Sequence, residues 1–100
     1  MFGWLFRRNL KGAKRFEDVV IDKSARFSIG IDNQRRGFFL SIPVSGRLVD
    51  YEEYYRISRR EFDKFRSDLA LGASFADRCR QRLMDRRLLI KPGADRGVGS

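Results

Sequence analysis

The segment Leu48 to Ile57, LVDYEEYYRI, runs straight into Ser58-Arg59-Arg60-Glu61, and that junction constrains the fold more than any other stretch. Side chains alternate across a strand with period two. Val49, Tyr51, Tyr55 and Ile57 therefore share one face, with Glu53 as the exception on it, while Asp50, Glu52, Tyr54 and Arg56 share the other. The first face suits a core and the second suits solvent. A serine followed three residues later by a glutamate is a capping box, in which hydroxyl and carboxylate each take up a free backbone N–H. A helix is thus expected to begin at Arg59, directly after the strand.

Upstream, Phe16 to Asp22 and Arg26 to Asp32 are short runs rich in Val, Ile and Phe, parted by Lys23 and Ser24 as a polar break of hairpin length. Asp32 to Gly37 reads as a turn. Phe38, Leu40, Ile42 and Val44 then alternate with Phe39, Ser41 and Pro43, so a third strand is expected to end near Pro43, where a ladder donor is lost. Phe39 and Ser41 join the solvent face of the fourth strand if the pairing register places them there. Downstream, Phe62, Phe65 and Leu69 recur at helical spacing, and Gly72 is expected to end the first helix. A second helix over Ser74 to Met84 puts Phe75, Cys79 and Leu83 on one stripe. Leu88 to Ile90 forms a last apolar run suited to a short strand before Lys91-Pro92-Gly93.

The pattern predicts an α+β fold: an antiparallel sheet of four to five strands with two helices packed on one face. A chain of 100 residues with 42% apolar residues supplies one domain and one modest core. It is expected to span residues 16–93, between a basic and apolar segment at 1–15 and a flexible tail at 94–100.

The net charge of +9 points toward nucleic acid or an anionic surface until its distribution is considered. Residues 1–15 hold five bases and no acid, and residues 78–100 hold seven bases against Asp85 and Asp95. The stretch between them has ten bases and eleven acids. The centre is almost neutral, so a uniformly basic platform is a weaker reading than the net charge suggests. Nucleic-acid binding remains the alternative reading, carried by Arg78, Arg80, Arg82, Arg86, Arg87 and Lys91, with Phe27, Phe38 or Phe39 as stacking surfaces if exposed. Phe2, Trp4, Leu5 and Phe6 ahead of Arg7, Arg8 and Lys11 suit a weak membrane-surface contact, the alternative being that Trp4 and Phe6 pack on the sheet or mediate self-association. The run is far short of the roughly 20 residues that cross a bilayer, and its order is the reverse of a secretion signal.

Chemistry is sparse. With no His and one Cys, the common zinc sites and a Ser-His-Asp triad are excluded. Cys79 lacks an imidazole to make it a thiolate and reads as a small core residue. The glycines form no phosphate loop. Glu52 and Glu53 point to opposite sides of their strand, and an open sheet surface would not separate the pKa values of Asp50 and Glu52. A non-enzymatic protein without cofactor or metal is expected. The lone cysteine fits a reducing, cytoplasmic setting.

The succession YEEYYRI, SRREFDKF, FADRCR, LLIKPG and DRG, spread over roughly Phe39 to Gly97, resembles small bacterial immunity proteins encoded beside polymorphic or contact-dependent growth inhibition toxins. Tyr51, Glu52, Glu53, Tyr54 and Tyr55 carry it in the strand, with Glu61 and Phe62 opening the helix. Cys79 and Arg80 follow, then Lys91, Pro92, Gly93, Arg96 and Gly97. The resemblance implies a cytoplasmic protein that binds a cognate toxin C-terminal domain, often a nuclease, and covers or sequesters its active site. For that role the mixed aromatic and charged outer face of the fourth strand is the expected contact, with Phe39, Asp50, Glu52, Tyr54 and Arg56 as partner-binding residues and the carboxylates standing in for phosphates against toxin Lys or Arg. A strongly basic chain then requires either that its near-neutral centre makes the contact or that its toxin is acidic or not a nuclease.

Overall fold

A computed structural model describes residues 14–99; the expected surface contact of Met1 to Lys11 lies outside them. Four strands, β1 (Phe16–Asp22), β2 (Phe27–Asp32), β3 (Gly37–Ser45) and β4 (Tyr51–Ile57), form an antiparallel meander in sequence order. Two helices follow, α1 (Arg59–Ser67) and α2 (Leu69–Arg80), then a single 3₁₀ turn at Asp85–Arg87 and a two-residue strand β5 (Val98–Gly99) against β3. The chain is an α+β fold with both helices on one face of the sheet. Phe62, Phe65, Phe75, Ala76 and Cys79 from the helices bury against Phe27, Ile29, Leu40, Ile42, Val44, Tyr55 and Ile57 from the strands. Among the described residues no helix is long and apolar enough to cross a membrane.

The two hairpin turns share one device. Asp22 ends β1 and its Oδ1 accepts from the Ala25 N–H at 2.9 Å; Asp32 ends β2 and its Oδ1 accepts from Gln34 and Arg35. Such carboxylate-to-backbone bonds hold a turn without help from the ladder. Each turn closes on an arginine in the left-handed region, Arg26 at φ 58 and Arg36 at φ 56. The first break is therefore four residues long and β2 starts at Phe27, one residue later than the sequence suggested. Pro43 does not end β3. It falls between the residues paired with β2, which stop at Ser41, and those paired with β5, which start at Val44, so its missing N–H disturbs neither ladder.

The capping box forms as expected: the Glu61 N–H donates to Ser58 Oγ at 3.0 Å and the Ser58 N–H donates to Glu61 Oε1 at 2.8 Å. The helix boundary beyond it differs. Asp68 breaks the chain with extended backbone, closing α1 through its N–H to the Lys64 carbonyl and opening α2 by accepting from the Ala70 N–H. Gly72 is buried inside α2, because the Phe27 ring lies so close that a Cβ there would sit 2.7 Å from its Cζ. The second helix ends at Arg80, and with Arg82 at φ 63 the chain leaves the stripe, which puts Leu83 in solvent at 62% exposure. Leu69, at the first position of α2, is also exposed.

β4 starts at Tyr51 because β3 ends at Ser45 and the register pairs Val44 with Tyr51, leaving Val49 in a loop at 70% exposure. The run Leu88 to Ile90 forms no strand. Leu88 makes one bridge to Tyr55 and the Leu89 N–H donates to the Tyr54 carbonyl, so the segment covers the free edge of β4 for a residue or two. The stretch expected to be a flexible tail instead returns to the sheet. Beyond the β5 pairing, Arg96 reaches the core, where its Nε donates to Glu53 Oε2 at 2.8 Å and its Nη1 to Asp85 Oδ2 at 2.7 Å. Tyr55 donates to the other Glu53 oxygen at 2.8 Å. This set explains the acid on the core face of β4: Glu53, 6% exposed, is held by a bidentate guanidinium and a phenol.

Three carboxylates depend on such partners for their ionisation. Burial pushes Asp32 and Glu61 up, but hydrogen bonds from Arg15 and Arg87 respectively, with backbone N–H groups, bring both below the ordinary carboxylate range. The Arg96 hydrogen bonds lower Asp85 against a smaller opposing effect of burial. Folded-state values below unfolded ones contribute stability that is present above the unfolded pKa and lost as pH falls through the folded one. Thermal stability is thus expected to be level near neutrality and to decline once pH drops below about 4. Melting temperatures unchanged down to about pH 2 would contradict this account of the three pairs.

Candidate functional site

The helices cover one face of the sheet and leave the other as the candidate contact surface. Pairing of Ser41 with Tyr54 and of Phe39 with Arg56 places the inner residues of that face. From β4 it receives Glu52, Tyr54 and Arg56, as the alternation predicted. From β1 it receives Phe16 and Asp18, because these residues pair with Asp32 and Gly30 of β2.

The five residues named from the sequence do not act as one cluster. Glu52 and Tyr54 stay together on the outer face. Asp50 lies outside β4, exposed in the loop before it, and Arg56 sits at the far end of the strand beside the β2–β3 turn. Phe39 is the correction. The register does bring it to this face, but it is fully buried, with 0% exposure, and so offers no contact area. The Phe16 ring lies edge-on to it at 5.3 Å and stacks flat on Tyr54 at 3.8 Å, while Tyr54 meets Phe39 edge-on at 5.2 Å. Beneath the cluster, Gly30 makes room: a Cβ there would lie 2.8 Å from Phe39 Cζ and 1.9 Å from the Glu17 carbonyl. Arg15 rests over Phe16 at 4.6 Å while binding Asp32 through two hydrogen bonds of 2.9 and 3.0 Å. An aromatic island therefore forms on the outer face, with Tyr54 as its half-exposed member from β4.

Carboxylates border the island. Burial pushes Glu52 up, the Ser41 hydroxyl and Arg26 oppose this, and the nearby charge of Asp18 adds to it. Asp18 is itself pushed up by burial, with Lys14 opposing. The Tyr54 phenol is raised by burial and then by Glu52 and Asp18, so it remains a neutral donor at physiological pH. Next to Glu52 opens a cavity of about 330 Å³ that runs along Pro43, Ser28 and Ile21 to the β1–β2 turn. A carboxylate pushed up by burial and by a neighbouring carboxylate, as Glu52 is, favours the arrival of a cation. An aromatic surface beside it supplies contact area.

Asp18 and Phe16 were not singled out from the sequence. The signal was the small outer-face pair Ser28 and Gly30, which leaves space over β2, but its use depends on the β1 register. The arginines proposed to track phosphates are partly committed to the fold. Arg80 holds the Ala25 carbonyl, Arg87 holds Glu61 at 2.9 Å, and Arg82 reaches the Gly97 carbonyl. The Cys79 thiol is buried in the core and pushed up to about 12 by burial, so it is no nucleophile at neutral pH. Among the described residues no three His, Cys, Asp or Glu side chains gather as a metal-holding group. Comparison with protein-family models, curated proteins and solved structures finds no match to this chain.

Proposed function

We propose that the chain is a non-catalytic immunity protein of the bacterial cytoplasm, which binds a cognate toxin domain and keeps it from acting on the producing cell. The observation that supports this reading is the outer sheet face, where Glu52, pushed up by burial and by the nearby charge of Asp18, lies beside the Phe16–Tyr54 stack. Such a surface suits a basic partner: its Lys or Arg side chains would relieve the carboxylate repulsion, and its apolar atoms would cover the aromatic ring. It is also compatible with the high net charge, because the contact is a local anionic island on a basic chain.

The test is coexpression in bacteria with the C-terminal region of the protein encoded immediately upstream. That region alone is expected to stop growth, and this chain to restore it. Glu52→Lys reverses the charge beside the aromatic island on an exposed strand position and is expected to abolish protection while the protein stays folded. A harmless neighbour, or growth that is not restored by the native chain, would remove the immunity reading. Restoration equally strong with Glu52→Lys would move the contact away from this face.

A further inference from the structure

The opposite end of the same sheet has an unrelated chemistry. There the β2–β3 turn, residues 33–36, comes up against the β4–α1 junction, and a cavity of about 340 Å³ lies between them. Four arginines line it: Arg35 and Arg36 from the turn, Arg56 from the end of β4, and Arg59 from the first turn of α1. All four are exposed. Of these, only Arg59 has a carboxylate partner among the described residues, Asp63, at 3.4 Å. An exposed pair within one helix of that length is worth little and yields readily to a stronger anion. The single carboxylate in the wall, Asp32, is already taken by Arg15 and by the turn's own N–H groups, so it does not neutralise the arginines.

Like charges repel, so four exposed guanidinium groups around one cavity make it a favourable place for an anion. Their number indicates which anion. One carboxylate has two oxygens and is satisfied by one bidentate arginine, whereas a phosphoryl group has three terminal oxygens, carries up to two charges and accepts several. The rest of the wall is apolar. Phe38, Ile57 and Leu89 complete it, with Phe38 held by Phe62 at 4.5 Å between ring centres. The volume falls in the small-molecule range, about 300 Å³ or more, and exceeds what a bare phosphate needs.

We propose that this cavity binds a phosphomonoester of nucleotide size, its phosphoryl group among Arg35, Arg36, Arg56 and Arg59 and its organic part against Phe38 and Leu89. The site lies at the other end of β4 from Glu52 and does not depend on the immunity reading. Arg56, named above as a partner contact, then belongs to the anion site.

The full chain is titrated with adenosine monophosphate, inorganic phosphate and adenosine while backbone amide signals are followed by NMR. Adenosine monophosphate is expected to move the signals of residues 35–38, 56–59 and 89 in a saturable way, phosphate to move the same set more weakly, and adenosine to move none. The double variant Arg35→Ala/Arg56→Ala removes two exposed side chains and is expected to weaken binding at least about tenfold with an otherwise unchanged spectrum. Arg86→Ala, an exposed arginine away from the cavity, is expected to leave binding unaltered and so separates the site from overall charge. Arg36 is retained because its left-handed backbone would confound a substitution. Three results would overturn the proposal: no saturable shift, shifts centred on residues 78–91, or equal loss on Arg86→Ala. Tight binding of an unphosphorylated oligonucleotide, or of a glutamate-rich peptide in place of the monophosphate, would overturn it in favour of those ligands.

Discussion

Arg96→Ala is expected to lower the free energy of unfolding by about 3 kcal/mol, because it strips the partner from a buried charge. The Arg96 guanidinium lies between Glu53 and Asp85, and Glu53 is buried at 6% exposure. Forming such a pair from water stabilises little, since both ions must be desolvated. Breaking it by removing one member leaves the other uncompensated, and that asymmetry sets the size of the effect. Arg96→Lys keeps the charge but cannot bond to both carboxylates through a planar fork, so a large part of the loss is expected to remain. Urea denaturation monitored by tyrosine and tryptophan fluorescence measures both variants. A change below about 1 kcal/mol for Arg96→Ala would mean that Glu53 is not buried as described.

Phe39→Ala carries a comparable expectation, about 3 to 4 kcal/mol, for a different reason. The ring fills the space between Gly30, Phe16 and Tyr54 on the outer face, and its removal leaves a cavity that the β1–β2 pair cannot collapse into without losing register. The consequence for any binding study is direct. Loss of partner binding by Phe39→Ala reports an unfolded or loosened sheet, whereas Tyr54→Phe keeps the stack on Phe16 and removes only the hydroxyl. Tyr54→Phe is expected to change stability by less than about 0.5 kcal/mol and is the cleaner probe of contact. A Phe39→Ala variant with native stability would return Phe39 to the list of surface residues.

What the sequence revealed was local. The period-two alternation of β3 and β4 and the Ser58–Glu61 box are each complete within about ten residues, so the sheet, the start of α1 and the α+β class were legible. Features that depend on distant partners were not. Gly72 reads as a helix end until Phe27 is known to press on it, and the break that Asp68 makes between the two helices was not read from the sequence. Glu53 was visibly out of place on an apolar face, but its partner lies 43 residues away, in a stretch with the Gly and Ser content of a frayed end. The candidate surface was half legible for the same reason. Glu52 and Tyr54 follow from alternation alone, while burial of Phe39 and the arrival of Asp18 require the register of β1, and the four-arginine cavity requires a turn to meet a junction 20 residues on.

β1 forms the end of the sheet among the described residues, since β4 is partly closed by Leu88 and Leu89. Its register shifts between Asp18 and Val20, which leaves Val19 as an extra, unpaired residue. An open strand with regular hydrogen-bonding groups is a template on which another chain can add and so begin an aggregate. The bulge breaks that template in the middle of the strand and twists it, and Glu17 and Asp18 put negative charge at the break. β1 can therefore display the exposed Val19 and Ile21 while resisting growth of the sheet by copies of itself.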